Sequence, residues 1–350
     1  MQTLRLVVDP ANPESRASRR AIARAAEILR AGGTLAFPTE TVYGLGANAL
    51  DEQAVAKIFA AKERPSWDPL IVHLGERAVL DDVAARVNGT AERLMDRFWP
   101  GPLTLLLPKH PRVPEIVTAG LKKVGVRMPA HPVAHALLVE AGVPVAAPSA
   151  NRFGHTSATS ALHVADDLDG RIDAILDGGE TTHGVESTVA EPEGRGCLIY
   201  RPGVITAEQI RSVCLGPVRV RRKRKAGGSP EAEASPGLSS RHYAPRARLI
   251  LVDGVGASQR VELEKAAAEQ RGERVGVMLP VGFSATRMKR AVKIFRWGHW
   301  DRPDELAQRL YAGLRWLDGE GATVIVCPLP RPVGIGVAIR DRLLRAASRQ

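Results

Sequence analysis

The strongest constraint on this chain is an alternation of two hydrophobic periods: apolar ridges at helical spacing, each followed by a short continuous apolar run. Ile22, Ala25, Ala26 and Leu29 recur on one helical face, Gly32 and Gly33 stop it, and Thr34 to Phe37 follow as a strand. The chain is therefore expected to open helix first, then strand. Val55, Ile58, Phe59 and Lys62 form a second ridge behind Asp51 as N-cap, and Leu70 to Leu74 reads as a buried strand. Strand-like runs recur at Leu103 to Leu107, Val124 to Val126, Val143 to Ala147 and Ile172 to Leu176, with helical patterns over Val133 to Glu140 and Ala161 to Leu168. Such alternation specifies an α/β fold.

The pattern breaks after Ile210. Arg221, Arg222, Lys223, Arg224 and Lys225 lead into a Gly, Ser, Pro and Ala stretch ending near Pro236, a linker composition. Beyond it, Leu249 to Val252, Val275 to Leu279 and Thr323 to Cys327 read as strands, and Leu306, Leu310, Leu314 and Leu317 as an apolar helix ridge. Gly334 and Gly336 mark a helix entry. A length of 350 residues with 44% hydrophobic content favours two domains, the second the smaller. No apolar run approaches the roughly 20 residues that span a bilayer, so no membrane association is expected and the cytoplasm is the expected location.

Cys197, Cys214 and Cys327 are widely spaced and lack any paired C-x-x-C pattern, which points to core thiols and no metal site. A net charge of +11 favours polyanionic partners, nucleotides or RNA. Aromatic residues at 4% leave few stacking platforms for single-stranded bases, so a nucleotide-using enzyme fits better than a dedicated RNA-binding module.

Six segments concentrate chemistry. Pro38 to Gly46 follows a strand and packs Thr39, Glu40, Thr41, Tyr43 and two glycines into nine positions, as ligand loops do at strand ends, although an ordinary turn has similar residues. Lys62 and Arg64 close a helix before Pro65 and suit phosphates, or equally a solvated pair at a helix C-terminus. His73 alternates in phase with Ile71 on an apolar strand, the pattern of a hydrogen-bonded core histidine. Arg127 ends a strand, where a guanidinium binds a carboxylate bidentately or makes a surface ion pair. Pro148 to Ser157 follows another apolar strand and is rich in hydroxyl and amide donors, as anion loops and turns both are. Gly184 to Val189 and Tyr200 to Gly203 add a hydroxyl and a further cation. No Walker loop, Ser/His/Asp arrangement or metal-ligand cluster appears, so the residues suggest a site that positions reactants and forms no covalent intermediate.

Together, PTETVYGLGA, KERPSWDPLIVH, WPGPLTLLL, VGVRMPAHPVA, APSANRFGHTS, GVESTV and YRPG resemble the threonylcarbamoyl-AMP synthase family with its YrdC-like domain. SPGLSSRHYAP and GIGVAIRDRLLRAA resemble the linker and terminal helix of the long, two-domain form. The resemblance implies a twisted, sheet-centred α/β domain with a concave basic face over residues 1–213, a linker or lid over 214–245, and a smaller Rossmann-like α/β domain over 246–350.

It also implies a reaction: L-threonine, bicarbonate and ATP, the last with Mg2+, give threonylcarbamoyl-AMP and pyrophosphate, with no tightly bound cofactor. By motif position, Thr41, His73, Arg127, Ala147 and Ser187 resemble the threonine-binding set, Ala147 through its backbone alone. Lys62, Arg64, Asp68, Lys123, Ser149, Asn151, Ser157 and Arg201 resemble the ATP-binding set. The segment from Ser235 to Pro245 is either a lid that closes over the first domain, with Arg241, His242 or Tyr243 contacting nucleotide or carbamate, or a plain spacer. Asp68 stands where the family usually has asparagine, and Phe153 where it has a small polar residue. The implied partners are a separate threonylcarbamoyl transferase complex and, as a candidate, tRNA itself. Two rival readings are an RNA-binding or ribosome-assembly factor without ATP chemistry, and a relative of hydrogenase-maturation carbamoyltransferases.

Overall fold

The computed structural model describes residues 2–221, 243–254, 256–283 and 292–348. The Arg and Lys run from Arg222, the linker stretch, Arg241 and His242 lie outside the described residues. The described residues divide into two compact units. One runs through Phe153, then Ala158–Thr182, then onward from Glu186; the other holds Gly154–Ser157, His183–Val185 and the residues from Tyr243 on.

The first unit follows the order β1 (Leu4–Val7), α1 (Arg16–Arg30), β2 (Leu35–Phe37), β3 (Gly44–Asn48), α2 (Glu52–Lys62), β4 (Ile71–His73), α3 (Gly89–Phe98), β5 (Leu103–Pro108), α4 (Glu115–Thr118) and β6 (Lys123–Arg127). It continues with α5 (Pro132–Ala141), β7 (Val145–Ala146), α6 (Ala161–Leu168), β8 (Ala174–Asp177), β9 (Thr188–Glu193), β10 (Gly196–Arg201), α7 (Ala207–Arg211) and β11 (Val218–Val220). Its 11 strands form one mixed sheet in the order β1-β8-β2-β3-β7-β4-β6-β5-β9-β10-β11.

Strand alternation explains why both faces are covered. On β2, Ala36 joins one apolar core while Leu35 and Phe37 join the other; on β8, Ile175 faces the first while Ala174 and Leu176 face the second. Helices α2, α3 and α6 cover the first face through Val55, Ile58, Leu94 and Val164. The second face is covered by α1 and α5, through Ile22, Leu29, Val133 and Leu137. Each fully buried leucine such as Leu29 or Leu35 contributes about 2 kcal/mol of apolar transfer.

Local signals set the helix ends. The Asp51 side chain accepts from the N–H groups of Gln53 and Ala54 to start α2. At its end, Glu63 takes a left-handed conformation at φ 54°. Pro132 opens α5 and Gly142 closes it at φ 63°.

Three expectations need correction. The chain opens with strand β1, not α1; Leu-Arg-Leu-Val is too short and too exposed to show a period. The last three residues of the supposed Pro38 to Gly46 loop begin strand β3, whose glycines serve close packing: a Cβ at Gly46 would meet Val145 Cγ1 at 2.7 Å and Phe37 Cε1 at 2.8 Å. Strands β9, β10 and β11 also form where no run was read, and Pro192 and Glu193 within β9 obscure its pattern.

The second unit contains β12 (Arg248–Val252), α8 (Gly256–Ala268), β13 (Val275–Val281), β14 (Lys293–His299), α9 (Pro303–Gly319), β15 (Val324–Pro328) and α10 (Gly336–Ala346). Its sheet, ordered β12-β15-β13-β14, is parallel throughout. Cys197 and Cys327 are buried and Cys214 is half-buried, all as free thiols. Among the described residues, no helix is long and apolar enough to cross a membrane.

Candidate functional site

The turn after β2 is built by its own hydroxyls. Thr39 Oγ1 accepts from the N–H groups of Thr41 (3.2 Å) and Val42 (3.3 Å), and lies 2.8 Å from Thr41 Oγ1. That turn places Glu40 and Thr41 against Arg127, the last residue of β6, and all three are buried. Arg127 donates through Nη1 to Thr41 Oγ1 (2.8 Å) and through Nε to the Gly101 carbonyl (3.3 Å), while Nη2 pairs with Glu40 Oε1 at 2.5 Å. The surface ion pair open to Arg127 from sequence is thus replaced by an interior one. Burial alone would push the Glu40 carboxyl up. The Arg127 charge and hydrogen bond, with the backbone N–H groups of Glu40 and Ala130, instead hold it below the usual carboxylate range.

His73 ends β4 and is the register partner of Arg127 on β6. Its ring meets Phe37 edge-on, with centroids 6.0 Å apart. Burial, reinforced by the Arg127 charge, drives its pKa down to about 3, so the imidazole is neutral at physiological pH. The expectation of a hydrogen-bonded core histidine is met only in part, because Nδ1 is buried without a hydrogen-bond partner. Ala147 donates its N–H to the Ile71 carbonyl (2.8 Å), two residues along β4 from the His73 and Arg127 pair.

Ser187 precedes β9 and lies 2.8 Å from Thr104 Oγ1 on β5. Arg201, at the end of β10, donates from Nη2 to the Ser187 carbonyl (3.0 Å) and hydroxyl (3.2 Å). Since Leu105 pairs with Val126, Thr104 stands beside the level of Arg127. Thr41, His73, Arg127 and Ser187 therefore gather across the adjacent strands β4, β6, β5 and β9.

A second cluster surrounds the end of α2. Lys62 and Arg64 are buried, which removes the solvated-pair reading of this helix end. Lys62 Nζ donates to the carbonyls of Ser149 and Asn151, and Phe153 N–H donates to the Lys62 carbonyl (2.9 Å). Arg64 pairs with Asp68 at 2.9 Å and donates to the carbonyls of Asp68 (3.1 Å) and Pro69 (2.8 Å). The aspartate that replaces the family's asparagine thus serves as a counter-ion. The Phe153 ring lies edge-on to Trp67, with the Arg64 guanidinium 6.0 Å from its centroid.

Lys123 is not brought to either cluster. It begins β6, roughly 13 Å of strand from Arg127, and pairs with Glu191. Ser157 belongs to the second unit, where Arg315 donates to the carbonyls of Thr156 (2.5 Å) and Ser157 (3.3 Å). Tyr243, the described member of the lid trio, is buried in the same unit with its ring stacked on Tyr311 (5.9 Å) and the Arg342 guanidinium 5.2 Å from its centroid. Sequence reasoning singled out neither Glu40 nor Thr104 as a site residue; the signal for Glu40 was an acid held between two threonines in a turn. Among the described residues, no group of three or more His, Cys, Asp or Glu side chains is placed to hold a metal ion.

A family model described as "Telomere recombination" matches residues 27–203, and one described as "Threonylcarbamoyl-AMP synthase, C-terminal domain" matches residues 205–348. The chain is 43% identical to the threonylcarbamoyl-AMP synthase of Bacillus subtilis, over 99% of this chain and 98% of the relative. It is also 43% identical to that of Pyrococcus abyssi, over 92% of this chain and 93% of the relative. The fold matches the crystal structure of Pyrococcus abyssi Sua5 complexed with L-threonine with a TM-score of 0.89 at 41% identity, covering 99% of this chain and 98% of that one. With relatives at this identity along nearly its whole length, and both family domains in order, the chain belongs to the threonylcarbamoyl-AMP synthase family.

Proposed function

We propose that this protein is an L-threonylcarbamoyladenylate synthase, a nucleotidyltransferase that makes threonylcarbamoyl-AMP and pyrophosphate for tRNA modification. The observation that carries the reading is Arg127: a buried guanidinium at a strand end, with three of its five N–H donors engaged by Gly101, Thr41 and Glu40. Its two remaining donors suit the carboxylate of threonine. Thr41, neutral His73, Ser187 and the backbone at Ala147 would surround the rest of the amino acid.

In the reaction, the threonine ammonium and bicarbonate give a carbamate, water and one proton. A carbamate oxygen then attacks the α-phosphorus of ATP in line, the bond to the bridging oxygen breaks, and pyrophosphate leaves with that electron pair. Both nucleophiles belong to the substrates, so the protein's task is proximity and charge neutralisation. Lys62, Arg64 and Arg201, with Ser149 and Asn151, would take the nucleotide, and Mg2+ would enter as part of Mg·ATP. The product would pass to a separate transferase complex in the cytoplasm.

Incubation with ATP, L-threonine and labelled bicarbonate tests the reading: a carbamoyl-adenylate that forms only with threonine is expected. ATP left unconsumed while RNA is bound would overturn it in favour of an RNA-binding factor. Label transferred to a protein side chain would favour a carbamoyltransferase.

A further inference from the structure

Arg127 and Glu40 sit in the same interior position with opposite charges, and neither side chain exposes more than 7% of its surface. A single buried cation at this point would attract any anion, and the reaction brings a triphosphate and pyrophosphate into the same site. The carboxylate at 2.5 Å changes what the position selects. As a pair it carries no net charge, so it offers little to a polyanion. It is instead a fixed dipole, and the ligand that complements a fixed dipole is a zwitterion.

The surroundings support a ligand-facing role for Glu40. Both of its oxygens are buried, and besides the Arg127 contact only the backbone N–H groups of Glu40 and Ala130 approach them, neither in full hydrogen-bond geometry. An ionised carboxylate has about four acceptor positions, and a buried one left short of donors is expensive to keep. The other groups around it do not fill that gap: His131, at the N-cap of α5, has its pKa lowered by burial, and Thr182 Oγ1 donates to the Glu40 backbone carbonyl and not to the carboxylate (3.1 Å).

We propose that Glu40 is a specificity-determining residue: its carboxylate receives the α-ammonium of the amino acid while Arg127 takes the α-carboxylate, so the pair admits amino acids and turns away phosphate anions. This rests on the threonine site proposed above. The role is recognition. Glu40 keeps its charge throughout, and condensation with bicarbonate releases water and one proton to solvent.

The test compares ligands that differ only in the amine. Calorimetric titration with L-threonine, and with the hydroxybutanoate that is threonine without its amine, is carried out on the parent protein, Glu40→Gln and Glu40→Asp. The parent should prefer threonine by at least about tenfold, as expected for a contact to a charged group. In Glu40→Gln the preference should collapse toward unity, with Glu40→Asp restoring part of it, and pyrophosphate should become a competitor of threonine. ATP titration confirms that each variant is folded. A preference unchanged in a Glu40→Gln protein that still binds ATP would overturn the proposal. Loss of threonine-dependent adenylate in the parent would instead overturn the functional reading itself.

Discussion

Arg64 and Asp68, four residues apart, form an ion pair of 2.9 Å in which both side chains are almost wholly buried. Removing one partner of such a pair leaves an uncompensated interior charge. Asp68→Asn keeps the shape and deletes the countercharge. Stability should fall by about 3 kcal/mol in urea titrations. ATP should bind more tightly at low salt, because the Arg64 charge is no longer offset, and the gain should fade as salt rises. A variant matching the parent in both measurements would show that the pair is energetically idle.

Arg127→Ala should weaken threonine binding by about 2 to 3 kcal/mol while ATP affinity changes far less. The same change strips Glu40 of its counter-ion, so the variant should also unfold more readily at neutral pH than under mild acid. Combining Arg127→Met with Glu40→Gln removes both charges. That double variant should recover stability without recovering threonine binding, as separate denaturation and calorimetry experiments would read.

His73 makes the fold sensitive to acid. Its folded pKa of about 3 lies below the ordinary 6.5, so the unfolded chain takes up a proton first. Its contribution is complete above 6.5 and is lost as pH falls toward 3. The melting temperature of the parent should drop between 6.5 and about 5, above the range where ordinary carboxylates titrate, and His73→Gln should flatten that slope. Parallel slopes in the two proteins would assign the sensitivity to other groups, such as His131, whose pKa burial also lowers.

Gly203 packs against the backbone that carries Ser187. An added Cβ would lie 2.3 Å from Thr188 N and 2.4 Å from the Ser187 carbonyl carbon, so backbone must move. Gly203→Ala should cost about 1 to 3 kcal/mol of stability. Adenylate synthesis should fall more steeply than threonine-independent ATP binding, which a side-by-side rate and titration measurement would separate.

What could be read from sequence follows from where local signals dominate. Helix α6 and the cap at Asp51 were legible because apolar spacing and a capping side chain act within one or two turns. Strand β3 was not, since its glycines are explained by packing against Phe37 on the neighbouring strand and against Val145, far along the chain. The same divide runs through the site. Arg127 stood out at the end of an apolar run, but its pairing with Glu40 joins residues 87 positions apart and leaves no local mark. Lys62 and Arg64 were found as cations, yet their burial depends on the loop after β7 and on Asp68.

The end of α2 is stitched to that loop at several points: Lys62 to the carbonyls of Ser149 and Asn151, Phe153 N–H to the Lys62 carbonyl, and Glu63 to Arg152 at 2.6 Å. Glu63 also holds Arg171 at 2.7 Å, and these two arginines keep its exposed carboxyl below the usual range. Helix end and loop are therefore tied together by the protein's own contacts. An anion that settles there gives up its own freedom and asks almost none from the protein, so the entropic penalty of binding falls on the ligand.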